Sequence, residues 1–167
     1  MTVLKPLPSA EHLRAVFRYD PTSGRLYWRP RDNEPRTRAF AGKPAGHAHG
    51  GYWRVRLKGF GVLLAHRVIW KMIHGIEPKE IDHKDGDSLN NRIANLREAT
   101  RAQNTRNRGR KRRAGYRGVR RSRDRWRAQI RVDGRLINLG SFDDPEAAYA
   151  AYVEAARKHF GEFARVD

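Results

Sequence analysis

The stretch that decides the fold is residues 81–97, which read IDHKDGDSLNNRIANLR. Asp82 and His83 end a short apolar run, and a loop rich in Asp, Gly and Asn follows. A second short strand is expected over residues 96–99. A Thr-x-x-Gln capping box then predicts a helix over residues 101–108. The pattern therefore predicts a strand, a loop, a strand and a helix in close succession.

Asp82, His83, Asn95 and Asn104 are the residue types that a metal-assisted phosphodiesterase needs. A carboxylate and amide oxygens bind a hard cation, and a neutral imidazole accepts a proton from water. The plainer interpretation is a turn with an incidental histidine, because Asp-Gly and Asn-Asn are common turn sequences. A calcium loop is disfavoured, since Lys84 stands where such a loop has a ligand.

The composition indicates a nucleic-acid partner. Lys and Arg total 36 against 18 acids, which gives a formal charge of +18 and a sequence pI of about 11.2. No apolar run is long enough to span a membrane and no signal-peptide core is visible, so we expect a cytoplasmic protein without a membrane partner. The absence of cysteine excludes disulfides and thiolate zinc sites, so any metal needs oxygen and nitrogen ligands.

Residues 1–62 predict a small α/β extension. Its expected elements are a helix at 10–19, a turn at 20–24, strands at 25–28 and 52–57, and between these strands an ordered loop or tether at 30–51. His47 and His49 in that loop are either metal ligands or solvent-exposed. A further helix over residues 66–74 is expected to end at Gly75. Its buried side chains are expected to be Val68, Ile69, Met72 and Ile73.

Residues 66–108 resemble the HNH nuclease family, and within it the homing-type branch of phages and mobile introns. The resemblance lies in four motif elements that occur in order: HRVIW at 66–70, IDHKDG at 81–86, NNRIANLR at 90–97, and Asn104. It implies a ββα-metal nuclease domain over residues 63–108. It also implies a DNA substrate and a bacterial or phage-infected cell.

The resemblance implies a role for each catalytic residue. His83 would be the general base, Asp82 a metal ligand, and Asn95 the residue that steadies the loop aiming the base. Asn104 stands where the family has its final histidine, and its oxygen would be the second metal ligand. Such hard ligands favour Mg²⁺ or Mn²⁺ over zinc. His66 would touch phosphate or support the site, with capping or packing as the alternative.

Residues 115–164, after a basic linker at 109–114, predict a separate unit. Its expected elements are strands at 115–121, 125–132 and 135–139 and a helix at 145–159 that packs on them. Alternation along the second strand places Trp126, Ala128, Ile130 and Val132 on a core face and Arg125, Arg127, Gln129 and Arg131 on the other. Residues 106–135 hold fourteen Arg or Lys against two Asp. A solvated face is the plain interpretation, but such a face repels itself without a polyanion.

The segments YRGVR at 116–120, WRAQIR at 126–131, LGSF at 139–142 and AAYAAY at 147–152 resemble the AP2 DNA-binding domain. The resemblance implies a three-stranded antiparallel sheet that lies in the major groove and is backed by one helix. The DNA-contacting positions that it implies are Arg117, Arg120, Arg127, Gln129 and Arg131. Gln129, Leu136 and Asn138 depart from the plant pattern, so the plant target sequence is not carried over.

The sequence therefore predicts an α+β protein: an HNH ββα-metal module with an N-terminal β-rich extension, then an AP2-like domain. The expected function is a free-standing, homing-type DNA endonuclease with a single metal and a histidine base. A non-catalytic, sequence-specific DNA-binding regulator is the alternative, and RNA binding is weaker because no aromatic stacking motif is visible. A monomer is expected, with a dimer on DNA as the other arrangement.

Overall fold

The computed structural model describes residues 6–30, 38–107, 115–164 and 166. Within these ranges the protein is mixed α+β, and it divides into two compact units, Met1–Asn104 and Thr105–Asp167. The basic linker expected at 109–114 lies outside the described residues, and the domain bounds given above stay predictions. None of the helices in the described ranges is long and apolar enough to cross a membrane.

The first unit opens with helix α1, Ala10–Val16, capped by the Ser9 side chain. Strands β1, Phe17–Asp20, and β2, Arg25–Trp28, follow as an antiparallel hairpin. The helix expected over 10–19 is therefore too long at its end. Phe17 fits a helical stripe locally, but it pairs with Trp28 across the hairpin and is fully buried there, so tertiary pairing overrides the helical spacing.

A three-stranded antiparallel sheet follows in the order β3, β4, β5: His47–His49, Tyr52–Leu57 and Gly61–Leu64. The strand expected at 52–57 is confirmed, whereas the short β3 lies inside the stretch predicted as a loop or tether. Residues 31–37 of that stretch lie outside the described residues.

Helix α2, Ala65–His74, begins directly after β5 and ends at Gly75, which is left-handed with φ 77° as expected. Val68, Ile69 and Met72 are buried as predicted. Ile73 is not: it is 48% exposed. It lies in the last turn of the helix, next to the buried Met72.

Strands β6, Ile81–His83, and β7, Leu96–Glu98, form a two-stranded antiparallel sheet, with a 3₁₀ turn at Ile93–Asn95 before β7. Helix α3, Arg101–Asn107, comes next. The capping box is present: the Gln103 N–H donates to Thr100 Oγ1 (3.3 Å), and Gln103 Oε1 accepts from the Thr100 N–H (2.8 Å). The expected order of strand, loop, strand and helix is confirmed.

One hydrophobic core joins the N-terminal elements to β6, which carries Asp82 and His83, and to β7. It runs from Leu7 and Leu13 through Val55 and Ile69 to Leu96. Each such side chain contributes about 1.5–3 kcal/mol when fully buried. The N-terminal residues and the predicted nuclease segment are thus mutually dependent for stability.

The second unit is a three-stranded antiparallel sheet in the order β10, β9, β8, with helix α4 packed on it. The elements are β8, Val119–Ser122; β9, Arg125–Val132; β10, Arg135–Phe142; and α4, Pro145–Phe160. The middle strand is as predicted. The first strand starts later than the expected residue 115, and the third runs on to Phe142 past an irregularity between Asn138 and Gly140.

Gly118 explains the late start of β8. Its φ is +75°, and a Cβ built there would lie 2.1 Å from Cδ2 of Tyr152. The lead-in turn can therefore approach the helix only with glycine at this position. Tyr152 and Ala156 of the helix pack with Ile130 of β9, which confirms the predicted packing of the helix on the sheet. The likeness to the AP2 domain stays a prediction.

Candidate active site

Asp82 and His83 occupy the end of β6 and are both buried, at 3% and 7% exposure. In the β6–β7 register, Asp82 pairs with Arg97 and His83 pairs with Leu96. The chain then turns sharply, with the Gly86 N–H donating to the His83 carbonyl at 2.9 Å. The acid-histidine pair is therefore fixed at a strand end that opens into the Asp/Asn loop.

The Asp82 carboxylate is held by Arg97 from the neighbouring strand. Oδ2 of Asp82 accepts from Nε at 2.8 Å and from Nη2 at 2.7 Å. A buried carboxylate needs such compensation, because an isolated charge is costly away from water. Arg97 therefore holds the buried carboxylate of Asp82 in one position.

His83 is held by Asn91, which is 2% exposed. Nε2 of His83 lies 3.0 Å from Oδ1 of Asn91. An amide oxygen only accepts hydrogen bonds, so this contact requires a proton on Nε2. Neutral imidazole in this tautomer can take a proton at Nδ1.

Asn95 closes the loop rather than contacting His83. Its side-chain nitrogen donates to Asp85 Oδ1 (2.9 Å) and to the Asn90 carbonyl (2.8 Å), and its side-chain oxygen accepts from the Asp85 N–H (3.1 Å). Partial burial would raise the pKa of Asp85, but hydrogen bonds from Asn90 and Asn95 outweigh it and lower that pKa. The loop between the two strands is thus cross-linked at both ends.

Asn104 lies in the first turn of α3 beside the start of β6. Its Nδ2 donates to Glu80 Oε2 at 3.1 Å and to the Ile81 carbonyl at 3.2 Å. Because both partners only accept, the amide oxygen of Asn104 must point away from them. That orientation presents an oxygen next to the strand that carries Asp82.

The donor set fits a hard divalent cation. Asp82 and Asn104 offer carboxylate and amide oxygens, which suit Mg²⁺ or Mn²⁺. Among the described residues there is no group of three or more His, Cys, Asp or Glu side chains that could hold a metal. A cation here would therefore be completed by substrate phosphate and water, as is usual for Mg²⁺.

His66 packs behind the site. Its ring lies edge-on to His83 with centroids 5.1 Å apart, and Tyr52 lies on it at 5.6 Å. Burial, reinforced by the charges of His83 and Arg67, lowers the pKa of His66 to about 3. Its buried Nδ1 has no hydrogen-bond partner. His66 is therefore a neutral packing partner of the candidate base.

The segment that carries the three-stranded sheet of the first unit is rich in cations. Residues 35–76 contain eight Arg or Lys and no acid. Arg54 and Arg56 share the face of β4 that also carries Tyr52, and the Ser88 hydroxyl donates to the Gly51 carbonyl at the β3–β4 turn. His47 and His49 are exposed on β3. This surface suits a phosphate backbone.

Three residues at the site were missed by sequence reasoning: Asn91, Arg97 and Glu80. Asn91 and Arg97 both lie in the NNRIANLR motif, but the motif alone assigns neither of them a role. Arg97 faces Asp82 because of the strand register, and Glu80 meets Asn104 because α3 folds back on β6. Glu80 lies outside every motif of the sequence and carries no such signal.

In the second unit, Arg127, Gln129 and Arg131 lie on the outward face of β9, opposite the core face of Ala128 and Ile130. Arg120 of β8 pairs directly with Arg127 and shares that face. These four candidate DNA-contacting side chains are therefore together on one sheet surface.

Arg117 is separate from the other four. It lies in the turn before β8, not in the expected strand, and its charge acts on Tyr152 of the helix. Burial nevertheless raises the pKa of Tyr152. Arg117 is exposed, but it does not belong to the outward face of the sheet.

Comparison with known families adds one finding. No curated protein and no solved structure matches the chain. Residues 63–106 match the family model described as HNH endonuclease, HNH_3. The matched segment contains Asp82, His83, Asn95 and Asn104, and the match supports an HNH nuclease that acts on DNA.

Proposed function

We propose that this chain is a divalent-metal-dependent DNA endonuclease that hydrolyses phosphodiester bonds with His83 as general base. Asp82 and Asn104 are the metal ligands in this proposal, and Asn95 steadies the loop. One observation carries it: inside the segment that matches the HNH endonuclease family, His83 is held through Nε2. His83 is buried and directly follows the buried Asp82 at the end of β6.

The chemistry follows from these contacts. Water attacks the phosphorus while Nδ1 of His83 takes its proton, and the P–O bond to the departing 3′ oxygen breaks. Histidine suits the task because its neutral form is basic near cellular pH. Mg²⁺ or Mn²⁺, when bound, supplies positive charge to the phosphate and to the departing oxygen.

Two polar contacts keep the proposed ligands in place. Arg97 holds Asp82 through one carboxylate oxygen. Glu80 and the Ile81 carbonyl hold the nitrogen of Asn104 and so aim its oxygen. Ligands fixed by such outer partners lose little entropy when the cation and the phosphate arrive.

The DNA-reading part of the proposal rests on charge and on the sheet. The outward face of β8–β9 presents Arg120, Arg127, Gln129 and Arg131, side chains that can meet base edges from a rigid strand. A net charge of +18 supports strong binding to the phosphate backbone. We propose that this AP2-like unit targets a free-standing, homing-type nuclease.

A plasmid-cleavage assay tests the proposal. Supercoiled DNA should be nicked or linearised with Mg²⁺ or Mn²⁺ and left intact with EDTA. His83→Ala should abolish cleavage and keep duplex affinity, because the base does not hold the DNA. Wild-type protein that binds duplex DNA but leaves it intact with both metals would instead be a DNA-binding regulator.

A further inference from the structure

The N-terminal hairpin touches the loop that holds His83. The Tyr19 hydroxyl on β1 donates to the Asn91 carbonyl at 3.2 Å and accepts from the Ile93 N–H at 2.8 Å. A single side chain thereby bridges the backbone on both sides of Arg92. Tyr19 and Asn91 lie far apart in sequence, so this contact is purely tertiary.

The turn of the hairpin packs closely against the same backbone segment, at Asn91 and Arg92. Gly24 has φ +71°, and a Cβ built there would lie 2.7 Å from Arg92 N and 2.8 Å from the Asn91 carbonyl carbon. Arg92 reaches back, with Nε donating to the Thr22 carbonyl at 2.6 Å. The backbone at Asn91 and Arg92 is therefore held by a strand residue and by a turn.

Asn91 links the hairpin to His83 through its own side chain. Its backbone is held by the hairpin, and its side-chain oxygen meets His83 Nε2 at 3.0 Å inside the protein. Without that acceptor the ring would lose a buried contact that orients it and that requires a proton on Nε2. Outer hydrogen bonds of this kind orient functional imidazoles and fix their tautomer.

We propose that the β1–β2 hairpin is a positioning element of the active site, in which Tyr19 and Gly24 fix Asn91 so that Asn91 sets the tautomer and direction of His83. This inference rests on the proposed role of His83 as general base. It gives the N-terminal residues a task in the chemistry, beyond covering the nuclease strands.

The state of the Tyr19 hydroxyl is compatible with this task. Burial raises the pKa of Tyr19, although the Ile93 N–H opposes the change. The hydroxyl therefore keeps its proton at working pH and can donate to the Asn91 carbonyl while accepting from Ile93.

The hairpin offers a matched pair of variants, Tyr19→Phe and Tyr27→Phe, in the full chain. Tyr27 lies on β2 opposite Arg18, whose guanidinium stacks on its ring at 4.6 Å. In single-turnover cleavage of supercoiled plasmid with Mn²⁺, Tyr19→Phe should lower the maximal rate about tenfold, as loss of an outer partner does. The protein concentration for half-maximal rate should stay unchanged. Tyr27→Phe should match wild type in both quantities.

Side-chain ¹⁵N NMR of His83 supplies a readout that general destabilisation does not change. The wild-type ring should show one neutral tautomer protonated at Nε2, and Tyr19→Phe should show a mixture. Asn91→Ala should lose both the tautomer and the rate. Asn91→Asp keeps an acceptor opposite Nε2 and should recover most of the rate and the single tautomer. The two Asn91 variants therefore test the contact even if Tyr19→Phe folds poorly.

The outcomes separate the two proposals. A Tyr19→Phe protein with the wild-type rate and a single Nε2–H tautomer overturns the positioning role while leaving the nuclease intact. A wild-type protein that never cleaves overturns the nuclease proposal, and the NMR comparison still decides the positioning role. Equal losses in Tyr19→Phe and Tyr27→Phe, with the tautomer unchanged in both, reduce the hairpin to a stabilising element.

Discussion

Arg97 donates twice to one oxygen of Asp82, from Nε at 2.8 Å and from Nη2 at 2.7 Å. Both side chains are buried, at 9% and 4% exposure. The two residues face each other across β6 and β7, so the pair is set by strand register. It places a guanidinium directly against a residue proposed to bind a cation.

Removing Arg97 should lower the free energy of unfolding, because the buried carboxylate of Asp82 loses its arginine partner. Arg97→Met is expected to destabilise the metal-free protein by about 3–5 kcal/mol, and the double variant with Asp82→Asn by clearly less. Added Mn²⁺ should restore part of the loss in the single variant, because a cation at Asp82 replaces the missing charge. Urea unfolding in EDTA and in Mn²⁺ measures both effects.

Arg18→Met is the matched control for that experiment, since Arg18 is exposed and stacks on Tyr27. Its effect should stay within about 0.5 kcal/mol, as for most surface changes. A metal-free Arg97→Met protein as stable as the Arg18→Met protein would show that Asp82 does not depend on its arginine.

Glu80 should determine which end of the Asn104 amide faces the cation. A carboxylate only accepts, so it turns the Asn104 nitrogen toward itself and the oxygen outward. Glu80→Gln removes that restriction and should weaken Mn²⁺ binding several-fold, as loss of an outer partner does. In an Asn104→Asp background, the same change removes a like-charge contact and should leave Mn²⁺ binding equal or tighter. Calorimetric Mn²⁺ titration of the full chain measures these affinities.

Glu98→Gln is the control for that titration. Glu98 pairs with Ile81 across β6 and β7, so it removes one negative charge at a similar place without touching Asn104. Equal weakening by Glu80→Gln and Glu98→Gln would reduce the effect to net charge. Weakening by Glu80→Gln in both backgrounds would make Glu80 a ligand in its own right.

His66 should make stability depend on pH in a defined direction. Its folded-state pKa lies at about 3, below the unfolded value near 6.5, so between these values the unfolded chain binds more protons. The free energy of unfolding should therefore fall as pH drops below about 6.5, with a slope of up to about 1.4 kcal/mol per pH unit. Urea unfolding of wild type and His66→Gln at several pH values between 4 and 7.5 isolates this contribution.

Lowered carboxylate pKa values, such as those of Glu77 and Asp85, occur in both proteins and cancel in the difference. The stability of wild type relative to His66→Gln should decline as the solution is acidified. Parallel curves would mean that folded His66 is protonated as readily as the unfolded residue. The exposed His49 gives the reference variant, His49→Gln, for which parallel curves are expected.

Local patterns were enough for much of the fold. The strands at 25–28 and 52–57 and the helix that ends at Gly75 follow from alternation, helical spacing and a C-terminal glycine. Phe17 was misassigned because its helical spacing is local, whereas its partner Trp28 is reached only across the hairpin. Local spacing therefore failed where a cross-strand partner decided the conformation.

The candidate site likewise combines residues that could be proposed from the sequence with contacts that could not. Asp82, His83 and Asn104 could be proposed from residue type and spacing. Their outer partners could not, because each contact depends on tertiary geometry: the register that sets Arg97 against Asp82, and the fold that brings Tyr19 to Asn91. Sequence patterns are enough to propose the reactive groups, whereas the packing determines which of their atoms form hydrogen bonds.

The last prediction concerns the outward face of the second sheet. Arg131 lies on β9, where its Nη1 donates to the Gly134 carbonyl at 2.8 Å and gives the side chain a defined direction. Arg131→Ala should reduce the binding free energy by about 1–3 kcal/mol on the duplex preferred in a binding selection, and it should relax base specificity at one position of that duplex. Arg157 is an exposed residue of α4, and Arg157→Ala removes the same charge from the protein. This variant should weaken binding to the preferred and the scrambled duplex slightly and equally. Fluorescence anisotropy on both duplexes at two salt concentrations compares the variants. If Arg131→Ala weakens both duplexes alike and only flattens the salt dependence, Arg131 holds phosphate, and the reading of sequence lies elsewhere in the chain.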